Sequence, residues 1–237
     1  MRKINTLFLY LAFSFIGAAL LILLIGLKPS QSSSLSISEK VGITAAFILS
    51  CSAGISLTFK PNWFRHYFSK STYETQNTHS KGKQSFQGHH PGCLTFQNHT
   101  IHWRGKIWCA ACLGLFIGFC VSIALMVFYM ITDFQPTQMT ALLLLLLSVF
   151  ILVVVFIEII HRNTHASIHV FINSLLPLSF FLVIVAVVGA TGELLYGFLS
   201  LLLCFLWLDT RIQLSKSHHT MLCKNCAEPC KMFSESF

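Results

Sequence analysis

Apolar runs separated by short polar stretches set the frame of this chain. They cover residues 4–27, 41–59, 109–132, 139–160 and 168–190, with a shorter one at 194–208. An α-helix rises ~1.5 Å per residue, so about 20 residues cross the ~30 Å hydrocarbon layer of a bilayer. The first five runs meet that requirement, and the sixth meets it only with its flanks, residues 192–210. Asp209 and Arg211 are expected to mark its end. Residues 189–192, with Gly189 and Gly192 at their ends, predict a tight turn between the last two runs. A single broken helix is the competing reading of that region. The pattern as a whole predicts an all-α polytopic membrane protein of about six transmembrane helices.

The intervals between runs organise the rest. Residues 1–60 hold the first two helices, 61–88 a cytoplasmic linker, 89–112 a loop rich in Cys and His, 113–210 helices three to six, and 211–237 a second Cys/His segment at the tail. Within the linker, residues 71–88 are Ser-, Thr-, Gln- and Lys-rich and aperiodic, which predicts a flexible tether too poor in apolar surface to offset its ordering entropy. The first run follows Met-Arg-Lys and could be taken for a secretory signal. Its apolar core exceeds the usual ~7–15 residues and no small-x-small cleavage site follows, so it reads as an anchor.

Composition agrees with this picture. Only 10% of residues are charged, against about 25% in a typical soluble domain. The net charge of +8 is read as a consequence of topology, not as a nucleic-acid footprint. With the N-terminus inside, fourteen Lys and Arg fall in inside segments, and only Lys28 and Lys40 fall outside. Basic residues near span ends accumulate on the cytoplasmic side. The count therefore predicts six spans in the cell (inner) membrane, with both termini cytoplasmic.

That orientation decides how the nine cysteines are read, because thiols in a reducing compartment seldom form stable disulfides and paired spacings there point to metal. The loop carries His89, His90 and Cys93, then His99 and His102, then Cys109-Ala110-Ala111-Cys112. Cys-x-x-Cys lets two thiolates grip one tetrahedral ion, and Cys93 with His89 or His90 completes a Cys3His set. The tail repeats the chemistry with His219, Cys223, Cys226 and Cys230, and His218 stands beside it. These two sets are the candidate metal ligands, with Zn2+ the expected ion. An iron–sulfur cluster is the rival for the three tail thiols, with Cys93 as fourth ligand. A c-type haem is excluded at Cys109 and Cys112, because Leu113 stands where His is required.

Secondary candidates are His102, Glu158, His161, His165 and His218. His161, His165 and His169 would share one helical face if the helix were continuous, and Glu158 precedes His161 at the Glu-x-x-His spacing of di-iron carboxylate sites. Asn163 and Thr164 suggest a turn that would break that face, and Arg162 is a candidate partner for Glu158. Gly114 and Gly118 fit close helix packing. Cys51, Cys120 and Cys204 sit mid-span, where thiols act as small hydrophobes.

His90-Pro91-x-Cys93, Gly105-Lys106 and Cys109-Ala110-x-Cys112-x-Gly114-x-x-x-Gly118 together resemble a family of small prokaryotic membrane proteins of unknown function. The likeness covers about 30 residues and implies that Cys93, Cys109 and Cys112 act as a unit. His89-His90 stands where that family more typically has Cys-His. Three functions then compete. The first is an integral membrane metal-binding protein in a structural, sensing or handling role, with no defined reaction. The second is a membrane di-iron or Fe–S oxidoreductase with its ligands on the cytoplasmic face. The third is a zinc-stapled scaffold that docks a cytoplasmic protein partner. Membrane lipid and the ion itself are the partners common to all three.

Overall fold

A computed structural model describes residues 2–27, 35–59, 86–87, 99–103, 106–132, 134–160 and 165–223. Six helices form from the six apolar runs: α1 Arg2–Leu27, α2 Ile37–Phe59, α3 Ala110–Ile131, α4 Gln138–Ile160, α5 Ala166–Thr191 and α6 Leu194–Cys223. Each is long and apolar enough to cross a membrane. Large apolar side chains such as Leu143 and Phe150 point outward from the bundle, as lipid contact requires and water would penalise.

The central element is α5. Its apolar window is 56% buried within the protein, against 22–39% for the other five. It packs on α3, α4 and α6, while α1 lies on α4 and α6 and α2 on α3. The approach of α3 to α5 depends on the two expected glycines. A Cβ at Gly114 would meet the Val170 carbonyl oxygen and lie 2.9 Å from the Asn173 Cβ, and one at Gly118 would lie 2.9 Å from the Pro177 Cδ. Small residues let helix backbones come close where lipid offers no hydrophobic incentive to associate.

At the end of the bundle opposite Cys109 and Cys112, polar caps tie the helices. Ser36 and Glu39 form a reciprocal capping box at the start of α2, with Ser36 N donating to Glu39 Oε2 at 3.0 Å. Lys40 donates to the Thr132 carbonyl at 2.7 Å, placing a cation at the C-terminal end of α3. Gly192 adopts φ 63 and donates to the Val188 carbonyl, closing α5 with a left-handed cap. The expected turn is therefore present, and α5 and α6 are an antiparallel pair instead of one broken helix.

Two features depart from the sequence reading. First, α6 does not end at Asp209 and Arg211 but runs on to Cys223. Hydropathy falls after Leu208, yet helical hydrogen bonding continues, and the buried Arg211 finds a partner on α5. Thr210 reaches Ser14 of α1 at 2.8 Å, and Trp207 Nε1 donates to the Ser14 carbonyl at 3.2 Å, so this stretch is packed on both sides. Second, a three-stranded sheet precedes α3. Strands β1 (Phe86–Gln87), β2 (Thr100–Trp103) and β3 (Lys106–Cys109) lie in the order β1-β3-β2, with β1 parallel and β2 antiparallel to β3. Phe86 and Gln87 thus belong to a sheet although they fall in the stretch read as a tether; the tether's other residues lie outside the described ones.

Candidate functional site

The sheet delivers Cys109 to the head of α3. Cys109 is the last residue of β3 and the N-cap of α3, with extended backbone, and it pairs with Thr100 of β2. Cys112 follows one turn later, so the two thiols face the same site from a strand–helix junction. Cys109 is buried and Cys112 half-buried. The Cys109 thiol is pulled down to about 6, chiefly by the Cys112 thiol hydrogen bond toward its sulfur, against the opposing effect of burial. The backbone N–H groups of Cys112 and Ala111, at the open first turn, contribute next and the Arg211 charge least. Cys109 makes no capping hydrogen bond of strict geometry, so these amides act as oriented dipoles near the sulfur.

Behind the thiols lies a chain of buried polar groups from three helices. Glu158, in the last turn of α4, contacts His169 of α5 through His169 Nδ1. Asn173, one turn further along α5, donates through Nδ2 to the His169 carbonyl at 2.7 Å. Its Oδ1 accepts from Arg211 Nε at 3.1 Å and also from Arg211 Nη2. Asn173 is 1% exposed and Arg211 8%, so the guanidinium depends on protein acceptors instead of water. The Arg211 charge is within electrostatic reach of Cys112, Cys109 and Glu158.

Two histidines close the cluster. His99, immediately before β2, lays its ring 4.2 Å from that of His169 at a 44° tilt. Burial, and then the nearby His169, push His99 down to about 4, with His218 adding to the effect and Glu158 opposing it. His218 of α6 meets the Ile159 carbonyl of α4 through Nδ1.

The expected ligands fall into three groups. His89, His90, Cys93, His161, Cys226 and Cys230 lie outside the described residues. His102, His219 and Cys223 are placed only by backbone, on β2 and in the last turns of α6. Cys109, Cys112, Glu158, His165 and His218 are described in full. The single helical face expected for His161, His165 and His169 is not continuous through His165, which is the exposed N-cap of α5 with extended backbone, while His161 lies outside the described residues. Glu158 reaches His169 directly. Among the described residues, no group of three or more His, Cys, Asp or Glu is arranged to hold a metal ion. Of the three mid-span thiols, Cys51 and Cys204 are buried among apolar neighbours and Cys120 is exposed on the surface of α3.

The chain matches no family model, no curated protein and no solved structure.

Sequence reasoning passed over Asn173 and Arg211 and undervalued His99. A signal for Asn173 was present: it stands four residues after His169 on an otherwise apolar helix, a spacing that puts both on one face. Arg211 gave no such signal, because a cation just beyond an apolar run is the ordinary mark of a membrane boundary.

Proposed function

We propose that this is a multi-pass protein of the prokaryotic cell membrane whose cytoplasmic loop and tail bind a thiophilic metal ion, zinc by the character of the ligand set. Its role is structural or metal-sensing and metal-handling. Cys109 and Cys112 supply two of the ligands. The others come from His89 or His90 with Cys93, and a second set is His219, Cys223, Cys226 and Cys230.

One observation carries the reading: a Cys-x-x-Cys pair at a strand–helix junction, with Cys109 closing β3 and capping α3; the Cys112 thiol and the first-turn amides shift the Cys109 thiol toward its thiolate form. The thiolate is the metal-binding form, and a preformed pair reduces the ordering that binding requires. The basic-residue count supports a reducing compartment for these thiols. The long α6 supports a shared location, since His218 lies against the end of α4 and Arg211 within reach of the Cys109 and Cys112 thiols. The di-iron alternative has less support, because Glu158 is engaged by His169 and His218 by a backbone carbonyl.

Elemental analysis of the detergent-purified full-length chain tests the proposal. Zinc is expected to co-purify in stoichiometric amount, and Cys109→Ser with Cys112→Ser is expected to remove one equivalent while the protein stays monodisperse. Cys226→Ser with Cys230→Ser then separates two sites from one shared ion. Metal content indifferent to the first pair of substitutions would sink the assignment.

A further inference from the structure

His99 has no part in the proposed ligand set, yet it is a point of contact between the sheet segment and the helix bundle, beside the junction at Cys109. Its ring lies against His169 of α5, and it directly precedes β2, whose Thr100 and Ile101 pair with Cys109 and Trp108 of β3. Among the described residues, three titratable groups from three helices lie within electrostatic reach of it: His169 from α5, Glu158 from α4 and His218 from α6. Two of those are imidazoles, and the single carboxylate is already in contact with His169.

We infer that His99 is an acid-sensitive latch: its neutral ring packs on His169 and holds the β2–β3 hairpin against the bundle, and protonation releases the hairpin. The physical basis is a half-buried imidazole pressed on a second one. A proton on His99 brings a positive charge into a desolvated position beside His169 and near His218, while Glu158 has its His169 contact to satisfy. Burial and these neighbours hold His99 at about 4, whereas the free side chain titrates near 6.5. The sign follows from linkage. Between those two values the released form binds more protons than the latched form, so latching weakens as pH falls through that window and is at full strength above it. Since β3 ends in Cys109, release would also free one thiol of the Cys-x-x-Cys pair. That consequence rests on the metal-binding reading; the latch does not.

Hydrogen–deuterium exchange of the full-length protein in detergent, corrected for the intrinsic pH dependence of amide exchange, reads the latch directly. Backbone amides of β2 and β3 are expected to lose protection severalfold per pH unit as pH is lowered from 6.5 toward 4, while the core of α5 stays protected. His99→Phe, a ring that cannot charge, is expected to keep the hairpin protected throughout. His99→Lys, a permanent cation, is expected to leave it unprotected at pH 7.5. Corrected protection in the wild type that does not change with pH overturns the inference, as does an acid loss in His99→Phe equal to that of the wild type. Zinc content is measured separately on the same preparations. An acid-labile hairpin in a chain that binds no metal refutes the metal reading and leaves the latch standing.

Discussion

Arg211 is buried in the bundle, and its guanidinium is held by Asn173. A hydrogen bond to a charged group contributes about 1.5–3 kcal/mol, and leaving that charge without its acceptor costs at least as much. Asn173→Leu is therefore expected to lower stability in detergent by about 2 kcal/mol, read by thermal unfolding. The double variant Asn173→Leu with Arg211→Met removes both partners and is expected to recover part of the loss. A double variant less stable than Asn173→Leu alone would show that Arg211 is held by something else. What sequence could not supply here is partner choice, since α5 and α6 meet only after the chain turns at Gly192.

Among the elements, the helices were legible and their ends less so. Five apolar runs of full span length correspond to α1 through α5, because the need to satisfy every backbone group in hydrocarbon leaves helix as the open choice. Hydropathy reports where lipid is, not where helical hydrogen bonding stops, and α6 accordingly runs on to Cys223. The small sheet was hidden for a different reason. Its strands are two to four residues long, and β1 pairs with residues about 20 positions away, so no local period announces it. The Gly-x-x-x-Gly of α3 was legible and carries a prediction. Gly114→Ala or Gly118→Ala forces a Cβ against the α5 backbone or Pro177, and each is expected to cost about 1–3 kcal/mol by overpacking. Gly26→Ala, where nothing stands within 4 Å, serves as the neutral control in the same unfolding assay.

For the whole molecule, the account joins two facts of different origin. Six helices able to span a membrane are present, and the two thiols of the Cys-x-x-Cys pair sit at one end of them, beside the end of α4 and the far half of α6. On the proposed orientation, read from the basic-residue imbalance, that end lies in the cytoplasm. If so, a membrane-impermeant thiol reagent added to intact cells is expected to leave Cys112 unmodified until the membrane is permeabilised; modification beforehand would reverse the orientation and make disulfides the natural state of these cysteines. The candidate site was legible as a set of residue types, since paired cysteines at close spacing are visible in any sequence. Its polar backing was not, because Glu158, His169, Asn173 and Arg211 come from three helices that only the fold brings together. The most direct check on the central claim is X-ray absorption at the zinc edge of the purified full-length protein. The account predicts a sulfur-rich first shell at ~2.3 Å with nitrogen as the remainder, losing sulfur in Cys109→Ser/Cys112→Ser. An oxygen-only shell, or fully reduced protein carrying no metal, contradicts it.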